Sequence, residues 1–212
     1  MLCMLHACCG PCSLECTRVL AEAGHTLAIL YDNPNIHPRD EYERRLETLR
    51  SYVADPQHIE LFEGAYDPDA WERTVGVHGT DRPARCRACY ALRLERAAAR
   101  AEALGYEALC TTLTISPYQL TDAILEELEA AASRHGLTAL AIDFREHYPA
   151  TTRRSRELGM YRQNYCGCRF SIAEAAQQRE SAKRQREDAK RRKARALLVA
   201  AAAGIVNEPS QL

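Results

Sequence analysis

Short, unbroken apolar runs recur along this chain, each preceded by a helix-length segment and a glycine. Leu27-Ala28-Ile29-Leu30-Tyr31 follows Gly24, Ala108 to Thr112 follows Gly105, and Thr138-Ala139-Leu140-Ala141-Ile142 follows Gly136. Glycine suits the left-handed residue just past a helix. Strands that are apolar at every position belong to a parallel sheet covered on both faces. The pattern therefore predicts an α/β fold built of right-handed crossover units. It places a first strand over Leu2 to His6, a helix over Ser13 to Ala23, and a second helix over Arg39 to Val53. In that second helix Tyr42, Leu46, Leu49 and Val53 form an apolar stripe, and Pro38 suits the first turn. A short strand is expected over His58 to Phe62. Further helices are expected over Cys86 to Leu104 and Tyr118 to Arg134, with a polar one from Ile172 to about residue 202.

Polar motifs fall at the ends of these strands. Cys8-Cys9 follows the first and Asp32-Asn33-Pro34-Asn35 the second. Thr111-Thr112-Leu113 and Asp143-Phe144-Arg145 end the strands after Gly105 and Gly136. Open α/β sheets bind ligands at the carboxyl ends of their strands, so the four segments predict one shared site.

A length of 212 residues fits one domain with a substantial core. The first residues are too short and insufficiently basic for a signal peptide, and the longest apolar run, from Ala196 to residue 203, is too short to span a bilayer. The expectation is a cytoplasmic protein with no membrane partner, whose thiols stay reduced and where disulfides are not expected. The net charge of −1 hides an asymmetry. Nine Lys and Arg between Arg179 and Arg195 make the C-terminal segment basic, and arginines surround two of the cysteine groups. Local basic patches suit a phosphate-bearing partner. For the tail alone the preferred reading is a solvated, salt-bridged helix.

Ten cysteines change the picture most, because seven fall into three tight groups: Cys8-Cys9-Gly10-Pro11-Cys12, Cys86-x-x-Cys89 and Cys166-Gly167-Cys168. Clustered thiolates are soft ligands suited to iron–sulfur clusters, iron or zinc. Cys86 and Cys89 are expected on the first turn of a helix, three apart and on one face. The free N–H groups there favour thiolate. Cys8 and Cys9 are neighbours whose side chains ordinarily diverge, but in a turn they can serve two adjacent centres. Seven thiols exceed the four that one zinc or one [4Fe–4S] cluster takes, which leaves a cluster with a second metal, or a cluster with redox thiols. Cys3, Cys16 and Cys110 stand at apolar positions and read as buried structural residues.

The motifs, taken together and in order, resemble a known family. They are His6-Ala7-Cys8-Cys9-Gly10-Pro11-Cys12, Asn33-Pro34-Asn35-Ile36-His37-Pro38, Glu41-Tyr42-x-Arg44-Arg45, Arg85-Cys86-x-x-Cys89-Tyr90, Thr111-Thr112-Leu113-x-x-Ser116-x-Tyr118-Gln119 and Leu158-Gly159-Met160-Tyr161-Arg162-Gln163-x-Tyr165-Cys166-Gly167-Cys168. Over about residues 2 to 172 this is similar to the QueH family of cobalamin-independent epoxyqueuosine reductases. The resemblance implies a three-layer HUP-like (adenine-nucleotide α-hydrolase-like) fold in residues 1–172; residues 173–212 depart from the family pattern and read as a basic, alanine-rich helical extension. It implies deoxygenation of the epoxide of epoxyqueuosine, at the wobble position of a tRNA, to queuosine. It also implies a [4Fe–4S] cluster with an adjacent second iron.

The reaction needs two electrons and two protons. A cluster passes electrons singly, and an iron with an open position acts as a Lewis acid. On this reading Cys8, Cys86, Cys89 and Cys168 hold the cluster, while Cys9, Cys12 and Cys166 hold the second iron; exchange of Cys8 with Cys9, or of Cys166 with Cys168, stays open. The partners are the tRNA and an external electron donor, a protein or a reductant. His6, Tyr118 and Asp143 are the foremost proton-donor candidates, with His37 and Tyr161 behind them. Asn33, Asn35 and Gln119 are candidates for the modified base, and Arg44, Arg45 and Arg162 for tRNA phosphates. Two rivals are an iron–sulfur-dependent tRNA thiolation enzyme and a zinc RNA-binding module. Against the first, the turn after strand one is Cys-Cys-Gly-Pro-Cys, not a Gly-rich phosphate loop.

Overall fold

The computed structural model describes residues 1–202, with side chains to 199. Five strands, β1 (Leu2–His6), β2 (Thr26–Tyr31), β3 (Glu60–Glu63), β4 (Ala108–Thr111) and β5 (Thr138–Ala139), form one sheet in the order β3-β2-β1-β4-β5. Every pairing is parallel. This is the α/β, parallel-sheet fold that the apolar runs predict. Successive residues of a strand face opposite sides of a sheet, and β1 feeds both sides. Cys3 and Leu5 pack with Leu14, Leu20, Leu46 and Leu49, from helices α1 (Gly10–Glu22) and α2 (Arg39–Leu49). Met4 packs with Leu94, Ala98, Ile124 and Leu128, from α5 (Arg82–Ala103) and α6 (Thr121–Arg134). Two apolar cores thus sandwich the sheet. Gly24, Gly105 and Gly136 each take positive φ at the helix-to-strand corner, as the repeated pattern requires.

Leu128 is fully buried on the α6 face of the second core. Leu128→Ala is expected to cost about 3 kcal/mol through lost burial and a residual cavity. Urea unfolding measures it, and the metal content of the folded protein should not change.

The α5–α6 contact also carries a titratable pair of bonds. His135 Nδ1 meets Glu102 at 2.6 Å and Nε2 meets Glu95 at 2.9 Å. Hydrogen bonds donated to Glu102 and then Glu95 raise the imidazole pKa above its usual value. A raised folded-state pKa stabilises below the unfolded value near 6.5, and that stability is lost as pH rises through the folded value. The difference in denaturation midpoint between the wild type and His135→Gln should therefore be larger at pH 6 than at pH 9.

Several boundaries differ from expectation. Helix α5 begins at Arg82, a turn early, because Asp81 caps it by accepting from Ala84 N at 3.2 Å and proline stands in its first turn. Cys86 and Cys89 consequently lie beyond the first turn, so the expected placement at the helix start is corrected. Helix α1 begins at Gly10. The helix after Pro38 runs regularly only to Leu49, then passes through a π-helical turn (Arg50–Ala54) into one further turn, α3 (Asp55–Gln57). Strand β5 is two residues long. Leu140 makes one more ladder bond, to Leu109 O, and the backbone then departs, leaving Asp143 off the strand. Two helices went unforeseen: α4 (Pro68–Thr74) and α7 (Tyr148–Glu157).

The chain divides into two compact units, Met1–Phe170 and the segment from Ser171 onward. The second consists of the body of α8 (Arg169–Ala202). No helix among the described residues is long and apolar enough to cross a membrane.

Candidate metal centre

Consecutive connections run from β1 to β2 to β3 toward one edge, then return to β4 and β5 on the other. The reversal falls between β1 and β4, and a crevice at such a switch point is where α/β sheets bind ligands. There His6 and Thr111 are register partners, and His6 Nδ1 shares a 2.9 Å hydrogen bond with Thr111 Oγ1. The cysteine turn follows directly. Cys9 is the extended N-cap of α1, Pro11 sits in its first turn, and Cys12 lies three residues past the cap on the same face. A Cβ on Gly10 would come within 3.0 Å of the Thr48 carbonyl of α2, so only glycine lets the turn pack this closely. Thr151 of α7 braces the turn by donating to Pro11 O.

The turn makes the three sulfurs converge. Cys8, Cys9 and Cys12 Sγ all lie within 4.8 Å of one another, and the neighbours Cys8 and Cys9 are 3.8 Å apart, where diverging side chains were expected. Protons are unequally shared in this trio. Hydrogen bonds from Cys12, then Cys9, with help from Thr112 and Arg93, hold the Cys8 thiol well below its usual range despite burial. Burial pushes Cys9 up to about 12, and Cys12 is raised by its bonds to Cys8 and Cys9. Cys8 N donates to Thr112 Oγ1 at 3.1 Å, and that hydroxyl donates back to Cys8 Sγ at 3.5 Å. Gln163 Nε2 donates to Cys9 Sγ at 2.7 Å.

The other four clustered cysteines line one small cavity with Asn35, Trp71, Arg85 and Tyr90. Cys86 and Cys89 come from one face of α5. Cys166 and Cys168 come from the loop after α7, where Gly167 at φ 139° takes a conformation that side chains resist. That loop is held from several sides. His37 N donates to Gly167 O at 2.9 Å, Tyr165 OH to His37 O at 2.7 Å, and Arg45 to Cys166 O at 2.8 Å and Tyr165 O at 3.2 Å. Gln119 Nε2 reaches Cys166 Sγ at 3.5 Å, while its Oε1 accepts from Tyr90 OH. Trp71 Nε1 donates to Cys89 Sγ at 3.3 Å. Burial raises the thiols of Cys86 and Cys89, and takes Cys166 up to about 12. The sulfurs thus group as Cys8, Cys9, Cys12 and as Cys86, Cys89, Cys166, Cys168. Relative to the expected division, Cys8 and Cys166 exchange places, because one turn carries the first three and the Gly167 loop keeps Cys166 beside Cys168.

Arg93 lies between the groups. It continues the α5 face of Cys86 and Cys89 at helical spacing, is buried, and interacts with the thiols of Cys89, Cys8 and Cys166. It donates to Asn33 Oδ1, its Nε has no partner, and among the described residues no carboxylate pairs with it. A buried cation in this state is costly unless an anion joins it. Thiolates ligating a metal or cluster are such an anion, so this donor set fits a metal centre. None of the ten cysteines is in a disulfide, and Cys3, Cys16 and Cys110 are buried in the first core.

The remaining candidates separate clearly. His6 is buried, its imidazole pKa lowered to about 3 by desolvation and then by Arg93, so the ring is neutral against the cysteine turn. Asn35 lines the thiol cavity. Asn33 and Arg45, expected to meet substrate, are both about 1% exposed. Asn33 is spent on Ala7 O and Arg93, and Arg45 on Glu41 at 2.7 Å and the loop carbonyls. Arg44 stands 5.0 Å over the Tyr161 ring, and Arg162 is half-buried. Tyr118 is exposed, edge-on to Tyr148. Asp143 is gripped by Arg145, which holds its carboxyl below the usual range. Among the described contacts neither reaches a cysteine. Trp71, Gln163 and the central position of Arg93 were not anticipated. For Arg93 the spacing 86, 89, 93 was a readable signal; for Trp71 only its being the sole tryptophan was.

Comparison with known proteins matches residues 3–174 to the family model described as epoxyqueuosine reductase QueH. The chain is similar to the epoxyqueuosine reductase QueH of Dehalococcoides mccartyi, 33% identical over 171 residues, covering 81% of this chain and 92% of that protein. It is likewise 33% identical over 187 residues to the epoxyqueuosine reductase QueH of Acinetobacter baylyi, covering 85% of each. Among solved structures, it is similar to a predicted subunit of a tRNA methyltransferase from Methanocaldococcus jannaschii, at 16% identity and a TM-score of 0.49, covering 74% and 76% of the two chains.

Proposed function

Because this chain belongs to the QueH family of epoxyqueuosine reductases, we propose that it converts epoxyqueuosine at the tRNA wobble position to queuosine. Two electrons and two protons enter, the epoxide oxygen leaves as water, and an alkene remains. The observation that carries the reading is the pair of thiol groups at the switch point with buried Arg93 between them.

We assign a [4Fe–4S] cluster to Cys86, Cys89, Cys166 and Cys168, and a second iron to Cys8, Cys9 and Cys12. When bound, these centres supply electrons one at a time and a Lewis acid for the oxygen. An external donor, a protein or a small reductant, replenishes the electrons.

The protein's own residues do the rest. Arg93 offsets the negative charge of the ligated thiolates. Trp71, Gln119, Gln163 and Thr112 donate hydrogen bonds to sulfur, which favours the deprotonated form that metal requires. His6 is the proton-relay candidate beside the cysteine turn; Tyr118 and Asp143 would serve only by approaching with substrate. Asn35 and Gln119 are proposed to meet the modified base, and Arg44 and Arg162 the phosphates.

The test is complementation. In a bacterial strain whose own epoxyqueuosine reductase is deleted, expression of this chain should restore queuosine in bulk tRNA and remove epoxyqueuosine. Persistence of epoxyqueuosine, with the protein soluble and iron-loaded, would contradict the proposal.

A further inference from the structure

The family match ends at residue 174, and α8 continues to Ala202. Its composition beyond the match is unusual. Between Gln177 and Arg195 the only apolar residues are Ala182, Ala189 and Ala194. The same stretch holds nine Lys and Arg against three Asp and Glu. On a helix, positions at i, i+4, i+7, i+11 and i+14 share one face. In α8 that series is Arg179, Lys183, Arg186, Lys190 and Lys193, all exposed. At 1.5 Å per residue the stripe is about 21 Å long. Glu180, Glu187 and Asp188 lie off it, and Glu180 is bonded to Arg184 at 2.7 Å on another flank.

We infer that this stripe is an RNA-binding face that contacts successive phosphates of the tRNA substrate. The inference rests on the proposed function for the identity of the RNA, and on α8 alone for the contact. Charge complementarity selects the partner class. A helix lying in a membrane surface needs a broad apolar face to insert, and a helix pairing with a protein helix needs an apolar seam; this stretch offers only alanine. A linear array of cations suits a phosphate backbone, and contacts of this kind position RNA without reading its sequence. Structured RNA is met through its shape and backbone, since its deep major groove is closed to side chains.

The test compares the full-length, metal-reconstituted protein with a variant carrying Arg179→Gln, Lys183→Gln, Arg186→Gln, Lys190→Gln and Lys193→Gln, helicity being checked by circular dichroism. Binding to fluorescently labelled unmodified tRNA is titrated over a range of KCl, and kcat and KM are measured on epoxyqueuosine-containing tRNA. Loss of five phosphate contacts should lower the magnitude of the slope of log K against log salt by about 3.5 to 4.5. It should weaken tRNA binding at least tenfold, and raise KM with kcat unchanged. A control that neutralises Arg184, Arg191, Arg192 and Arg195 should change the slope much less. Equal slopes and affinities for wild type and stripe variant would overturn the inference. So would equal losses in the control, or stripe-dependent binding to anionic phosphatidylserine vesicles without any effect on tRNA. If the wild type binds tRNA through the stripe but converts nothing, the reductase reading fails and the stripe stands. If it converts tRNA and the variant matches it in every respect, the reverse holds.

Discussion

Cys89→Ala is expected to lose bound iron and at least about 100-fold of the reductase activity, whereas Cys110→Ala keeps both. Both cysteines are buried, so exposure does not separate them. Surroundings do. Cys89 lines the cavity shared with Cys86, Cys166 and Cys168, and its sulfur accepts from Trp71 and interacts with Arg93. Removing one thiolate leaves three protein ligands where a cubane cluster takes four. Partners that merely support a ligand cost about 10–100-fold when lost, so a ligand itself should cost at least the upper end. Cys110 instead lies in the first core with its Sγ near Leu140 O, and burial raises its thiol. Cys110→Ala should cost about 1–2 kcal/mol of stability and no iron. Iron and sulfide analysis of anaerobically reconstituted variants, with a parallel urea melt, distinguishes the two. Full iron and activity in Cys89→Ala would contradict the assigned ligand set.

The second large effect is expected at Arg93. Arg93→Met keeps the approximate volume and removes the charge. In the metal-free protein the loss should be mild or even favourable, since the buried guanidinium there has an unbonded Nε and pairs with no carboxylate among the described residues. With metal bound the sign reverses, because the cation offsets the thiolates and favours deprotonation of Cys89 and Cys8. We expect iron retention and activity to fall about 10–100-fold, with partial rescue by Arg93→Lys. Thermal melts of the metal-free and metal-loaded forms give the check. A variant destabilised equally in both forms would reduce Arg93 to a packing residue.

How much of this could be read from the chain depended on how local the cause was. The strands were legible because their apolar runs are continuous, and the corners because Gly24, Gly105 and Gly136 supply positive φ. Alternation along β1 between two cores followed from the same runs. The three cysteine groups pointed to a metal site, and the sulfurs of Cys8, Cys9 and Cys12 converge as one could require. Their division did not follow, since it depends on the Gly167 loop being pinned by His37 and Arg45, more than a hundred residues away in sequence. For the same reason the burial of Arg45 and Asn33 was not legible: a polar side chain buried by distant partners is indistinguishable in sequence from an exposed one. Helix α4, which brings Trp71 to Cys89, carries too little apolar periodicity to be found. Strand β5 was overestimated because an apolar run persists after its ladder bonds stop.

The most direct measurement uses purified, anaerobically reconstituted protein with dithionite and tRNA carrying epoxyqueuosine. After nuclease digestion, mass spectrometry of the modified nucleoside should show loss of one oxygen and appearance of queuosine, in proportion to the iron loaded. Unchanged epoxyqueuosine in the presence of brown, iron-loaded enzyme would contradict the account, and gain of sulfur elsewhere in the tRNA would move it to thiolation.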